Sequence, residues 1–224
     1  MIARPRAEQV LRVRRVGLIG DVHTEHERLR HALEQLSRMQ LDCILCTGDL
    51  PDGPNDAKAV EACCALLERH GVLVISGNHD RWLQDGEMRD LPGATDKDEL
   101  SAEALAYLDS LPATRDFETP IGRTLLCHGM GENDMAAIQP YDHGHALEDN
   151  QALQALLRQD RYRYVISGHT HRPIVRVVGS LTVINAGTLL REQSPCWSVV
   201  DFEARHVRYF DIGTDEAPSS EWPL

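Results

Sequence analysis

Lysine is nearly absent from this chain: Lys58 and Lys97 are the two lysines among 224 residues. Neither follows a glycine-rich loop, which excludes a P-loop nucleotide site. Positive charge of any kind is scarce. Lys and Arg together number 23 against 35 Asp and Glu, a formal net charge of −12. That balance argues against broad, sequence-blind adhesion to nucleic acid or anionic lipid. No apolar run approaches the roughly 18 residues needed to span a membrane. The opening MIARPRAEQVLRVRRVG holds arginines but no apolar signal-peptide core, so a cytoplasmic protein with no membrane partner is expected. No G-x-S-x-G occurs, and nothing else points to a nucleophilic serine.

Six cysteines are present. Cys43 and Cys46 form a C-x-x-C inside the apolar run LDCILC, where they alternate faces of a strand instead of opening a helix as a redox pair would. Cys63 and Cys64 fall in a predicted helix, and Cys127 and Cys196 lie in or beside strands. All six are expected to be reduced core residues.

What the chain does have is a repeated unit: a short apolar run, a glycine or polar cluster, then an amphipathic helix. VRRVGLIG leads to DVH, LDCILCTG to DL, GVLVISG to NHD, RTLLC to HG and RYVISG to HTH. Helices are expected over HERLRHALEQLSRM, DAKAVEACCALLERH, KDELSAEALAYLDSL and QALQALLRQDR. After residue 173 come two predicted antiparallel pairs, turning near Gly179 and Ala204. The length and this alternation predict one α/β domain over residues 1–214, with a loose tail at 215–224.

Five strand ends therefore carry candidate ligands. GDVH offers Asp21 and His23, GDL offers Asp49, GNHD offers Asn78, His79 and Asp80, CHG offers His128, and GHTH offers His169 and His171. Taken singly, Asp21 reads as a helix cap, Asp49 as a turn residue and His128 as a core histidine. Five such clusters, each after an apolar run, are hard to explain by structural need, because grouped polar side chains are costly to bury. Oxygens mixed with several imidazoles suit Mn, Fe, Zn or Co over a thiolate site or a calcium cage. If residues 169–171 are extended, side-chain alternation puts both histidines of GHTH on one side.

The ordered set D-x-H, GD, GNHD, HG and GHTH, with INAGT at 184–188, resembles the calcineurin-like metallophosphoesterase family over residues 17 to about 190. The resemblance implies an α/β (α+β) fold of two packed mixed β-sheets flanked by helices, a four-layer sandwich. It also implies two divalent ions, Mn first, with Fe, Zn, Co, Ni or Mg as alternatives. Asp21, His23 and His171 would hold the first ion and Asn78, His128 and His169 the second, with Asp49 bridging them. A hydroxide shared by the two ions would attack phosphorus, as paired cations can generate one near neutral pH. His79 would face the substrate as general acid, its tautomer set by Asp80.

The implied substrate is a small phosphodiester or related phosphate ester. GDLPDGP lacks the arginine, and GNHD the glutamate, of the family's protein phosphatases. A phosphomonoesterase, protein phosphatases included, or a nucleotide pyrophosphohydrolase on the same site is the alternative; a catalytically weak scaffold or an all-helical HD phosphohydrolase is further off. Arg81 and Arg172 are candidate phosphate clamps, since a guanidinium suits bidentate phosphate contact. Specificity is expected in loops 81–98 and 130–150. Within the second, YDHGHAL with His143 and His145 reads as a polar loop.

Overall fold

Short aliphatic runs form the strands, and stretches with apolar residues at helical spacing form the helices between them. A computed structural model of the chain describes residues 11–214 and 217–224. The first half alternates β1 (Arg15–Ile19), α1 (His26–Ser37), β2 (Cys43–Cys46), α2 (Ala57–Arg69), β3 (Leu73–Val74) and α3 (Asn78–Asp85). There follow α4 (Ala102–Asp109), β4 (Thr114–Thr119), β5 (Gly122–Cys127), α5 (His145–Glu148), α6 (Gln151–Gln159) and β6 (Tyr164–Ser167). Five strands close the chain: β7 (Ile174–Val178), β8 (Leu181–Asn185), β9 (Cys196–Asp201), β10 (His206–Asp211) and β11 (Ser220–Pro223).

One sheet has the order β11-β10-β9-β1-β2-β3, the other β4-β5-β6-β8-β7. β1, β2 and β3 are parallel, as are β5, β6 and β8, and antiparallel strands extend both sheets. Alternation along each strand decides which face its side chains serve. Val16 and Leu18 of β1, Ile166 of β6, Ile184 of β8 and Tyr209 of β10 meet between the sheets. On the first sheet's outer face, Ile19 and Cys46 pack under α1, α2 and α4. α1 buries Leu29, Ala32, Leu33 and Leu36, the stripe that an amphipathic helix lays on a sheet. On the second sheet's outer face, Leu125, Val165 and Val183 pack under Leu153 and Leu156 of α6. These layers are the expected four-layer sandwich. No helix among the described residues is long and apolar enough to cross a membrane.

Four local expectations need correction. The loop read from residue 81 begins as helix: α3 opens at Asn78 in the GNHD cluster itself. Its strong polarity, NHDRWLQD, hides the helical stripe. An edge strand, β4, went unread because it holds a single buried residue, Phe117, among the charged Arg115, Asp116 and Glu118, and charge on an edge strand is a common way to protect it. The helix expected from residue 97 starts at Ala102, where Ser101 caps it through Ala104 N–H (3.3 Å). The tail expected from residue 215 carries β11, whose Ser220–Pro223 pairs with Tyr209–His206; residues 215 and 216 lie outside the described residues.

Candidate metal centre

The parallel strands of both sheets end at one place. Asp21 and His23 follow β1, Asp49 follows β2, Asn78 opens the helix after β3, His128 follows β5, and His169 and His171 follow β6. Close backbone approach there requires glycine. A Cβ at Gly77 would lie 2.1 Å from Asp49 Oδ1, and one at Gly168 would lie 2.2 Å from Asp21 Oδ1. His23, Thr24, Asp49, Asp52, His169 and His171 all have positive φ, a conformation that costs a non-glycine residue about 1–2 kcal/mol. Such strain gathers where a site over-determines the backbone. GHTH is therefore not extended, and the alternation expected for it does not occur; two left-handed turns place its histidines instead.

Asp21, His23, Asp49 and His171 offer ligand atoms within 4.8 Å of one another. His23 Nδ1 donates to the Asp52 carbonyl (2.7 Å), and His171 Nδ1 donates to Gln193 Oε1 (2.8 Å). Each ring thus turns its Nε2 inward, and the two atoms stand 3.0 Å apart. Burial lowers the pKa of His23 more than Asp49 raises it, so no proton bridges from its side. Asp21 Oδ1 accepts the Thr47 hydroxyl (2.9 Å), while its buried Oδ2 has no hydrogen-bond partner and lies 3.3 Å from His171 Nε2. Lone pairs crowded this way fit a cation among them.

The neighbouring group repeats the pattern. His128 Nδ1 donates to the Thr47 carbonyl (2.7 Å), leaving Nε2 facing Asn78 Oδ1 (2.9 Å) and Asp49 Oδ2 (3.2 Å). His169 Nδ1 reaches the same Asn78 oxygen (2.9 Å). Asp49 Oδ2 also lies 3.8 Å from His23 Nε2, which puts it between the two groups. Burial lowers the pKa of His128, but Asp49 and Asp21 outweigh it and raise it to about 10. A proton thus holds the place of positive charge. His169 goes the other way, lowered by burial and by the nearby His128 charge. For Asp49 the upward push of burial is overcome by His128, His23 and His79, and its pKa falls.

The expected partner of His79 is wrong. His79 Nδ1 donates to Asp52 Oδ2 (2.8 Å), three residues beyond Asp49 in GDLPDGP. Asp80 instead accepts the backbone N–H groups of Asp49 (2.8 Å), Gly77 (2.7 Å) and Leu50 (3.1 Å). It sits in the first turn of α3 and reaches back to the N-cap, so it points away from the imidazole beside it. Burial and the Asp49 charge raise Asp80 to about 7. Burial would raise Asp52 too, but His79, Arg89 and Thr95 hold it below the usual carboxylate range. For His79, burial acts downward and Asp52 and Asp49 outweigh it.

Neither arginine is placed as a ready clamp. Arg81 donates to both carboxylate oxygens of Asp134 (2.7 and 3.2 Å) and to Glu87 (2.9 Å). Arg172 lies over the Tyr141 ring, 5.8 Å from its centroid. Around YDHGHAL, Arg176 of β7 donates to the carbonyls of Gln139, Pro140 and Asp142; the side chain of His145 is 92% exposed, but the stretch is not all loop, because α5 opens at His145. Thr47, Asp52 and Gln193 were not found from sequence. Asn185 of INAGT donates to the Gly168 carbonyl and to Thr170 Oγ1, and Thr188 donates to the Asp21 carbonyl. That turn fixes GHTH and the first cluster together.

A family model described as a calcineurin-like phosphoesterase superfamily domain matches residues 15–205. Among solved structures, a hypothetical protein from Pyrococcus horikoshii OT3 is 17% identical with a TM-score of 0.70, the match covering 92% of this chain and 90% of that one. A metallophosphoesterase from Sphaerobacter thermophilus is 18% identical with a TM-score of 0.62, covering 89% and 88%. A protein described as a novel archaeal phosphodiesterase is 17% identical with a TM-score of 0.55, covering 88% and 99%. Identities this low speak to the shared fold.

Proposed function

The chain belongs to the calcineurin-like phosphoesterase superfamily, and from that premise we propose that it hydrolyses a small phosphodiester with two divalent ions. The observation that carries this is the pair of inward imidazole nitrogens of His23 and His171, 3.0 Å apart with both Nδ1 atoms committed elsewhere. Asp21, His23 and His171 would hold one ion, Asn78, His128 and His169 the other, and Asp49 both. Manganese is the first expectation, with Fe, Zn, Co, Ni and Mg as alternatives. When bound, such ions supply positive charge for a phosphoryl group and acidify water.

The chain's own groups supply the rest. His79, fixed through Nδ1 by Asp52, presents its other nitrogen to the substrate and gives a proton to the departing oxygen. Trp82 packs edge-on against that ring, centroids 4.6 Å apart, and limits its rotation. A diester carries one negative charge and a monoester dianion two. Arg81 and Arg89, both near the site in the chain, are engaged by carboxylates, which favours the singly charged ester. The six cysteines are free; burial pushes Cys43 to about 11 and Cys127 and Cys196 to about 12, so none of these three is poised as a thiolate nucleophile.

Metal analysis of protein purified without chelator, followed by turnover of bis(4-nitrophenyl) phosphate and 4-nitrophenyl phosphate, tests the reading. About two ions per chain and faster diester cleavage are expected. Preference for the monoester would select the phosphomonoesterase. Fewer than about one ion per chain, with no turnover on added Mn, would leave a scaffold.

A further inference from the structure

Asp52 serves two imidazoles at once. Its carbonyl accepts from His23 Nδ1 and its carboxylate from His79 Nδ1. The other positions on that carboxylate are filled by the segment 86–96. Arg89 donates from Nη1 to Oδ1 (3.0 Å) and from Nη2 to Oδ2 (2.8 Å), and Thr95 N–H donates to Oδ1 (2.8 Å). Asp52 N–H in turn donates to Thr95 Oγ1 (2.9 Å). A carboxylate has about four lone-pair positions, and here each oxygen accepts two donors. Arg89 is itself held, Nε by the Glu87 carbonyl (2.6 Å) and Nη1 by the Thr95 carbonyl (3.1 Å).

We propose that Arg89 is a positioning residue for ester cleavage, aiming the Asp52 carboxylate at His79 Nδ1 and so fixing which nitrogen of His79 faces the substrate. The inference rests on the proposed function, in which His79 protonates the leaving oxygen. A planar fork suits the task because it fixes both carboxylate oxygens in one plane, whereas an ammonium holds one. Without the fork, Asp52 Oδ2 is free to swing and the imidazole to turn about its stem.

Leaving-group dependence separates this from simple bracing of the loop. An oxygen that departs as a stable aryloxide needs little help from an acid, and an alkoxide needs much. In Arg89→Gln, kcat on a dialkyl phosphodiester should fall about 10- to 100-fold, the range for a residue that orients a reacting group. On bis(4-nitrophenyl) phosphate the fall should stay under about threefold, with KM and metal content unchanged. Arg89→Lys should show the same contrast in smaller measure, and it decides the matter if the Gln variant does not fold. Equal loss on both esters, or loss on neither, would overturn the assignment. In metal-free protein, the imidazole Nδ1–H resonance of His79 should be displaced or lost on substitution; an unchanged resonance would also overturn it. If the unsubstituted protein with Mn cleaves neither ester, the proposed function fails, and the resonance still judges Arg89 by itself.

Discussion

Asp52 and Asp80 lie at the same site, are both buried, and answer to different chemistry. Asp80 accepts three backbone N–H groups that anchor the turns at 48–50 and 77, so its loss should be felt as instability. Asp80→Asn turns an amide N–H₂ toward donors and should cost about 1–3 kcal/mol, read as a lower denaturation midpoint; an unchanged midpoint with lost turnover would restore it as the partner of His79. Asp52→Asn should keep both ions but lower kcat on a dialkyl diester by about 10²–10⁴, the usual weight of a general acid. Asp49→Ala should lose both ions, since Oδ2 stands between the two ligand groups; full occupancy by metal analysis would refute the bridge. The candidate ligands were legible because each follows an apolar run. Asp52 was not, because its carboxylate acts through a contact with His79, 27 residues away in sequence, and GDLPDGP by itself reads as a turn.

Elements carry the site by ending together, and what ends them is glycine and left-handed backbone. At the close of β6, Gly168 leaves no room for a Cβ beside Asp21 Oδ1 (2.2 Å) and Thr47 Oγ1 (2.6 Å). Gly168→Ala should push the Asp21 carboxylate out of place and weaken the first ion about 10- to 100-fold, as misdirected ligands do, with the second ion less affected. Titration calorimetry resolves the two steps, and equal affinities in the variant and the native protein would remove the role assigned to that glycine. The strands other than β4 and β11, together with α1, α2 and α6, could be read because burial on a sheet imposes a period. GHTH could not be read as turns, because positive φ is uncommon for any non-glycine residue and histidine's modest enrichment there does not single out these two positions. α3 was hidden because few of its residues are buried, among them Asn78, Asp80 and Leu83, so polarity masked its stripe.

Across the whole molecule, two sheets bring negative and lone-pair-bearing atoms to one point, and something positive must balance them. In the metal-free chain part of that balance is the proton on His128, whose pKa rises to about 10 because Asp49 and Asp21 outweigh burial. An unfolded histidine titrates near 6.5. A group whose folded pKa is the higher one stabilises fully below its unfolded value, and that contribution disappears as pH climbs through the folded value. Metal-free protein should therefore melt at progressively lower temperature between about pH 6.5 and pH 10, while metal-loaded protein, its His128 already deprotonated, should lose much less. An ion held by His128, as proposed, would expel the same proton, because a ligating imidazole is neutral. At pH 8 calorimetry in two buffers of different ionisation enthalpy should find release of about one proton per chain, with His23 and His169 adding none because burial keeps both neutral. Release close to zero would mean that His128 is already neutral when the ion arrives, and that the charge at the meeting point of the two sheets is balanced by some other group.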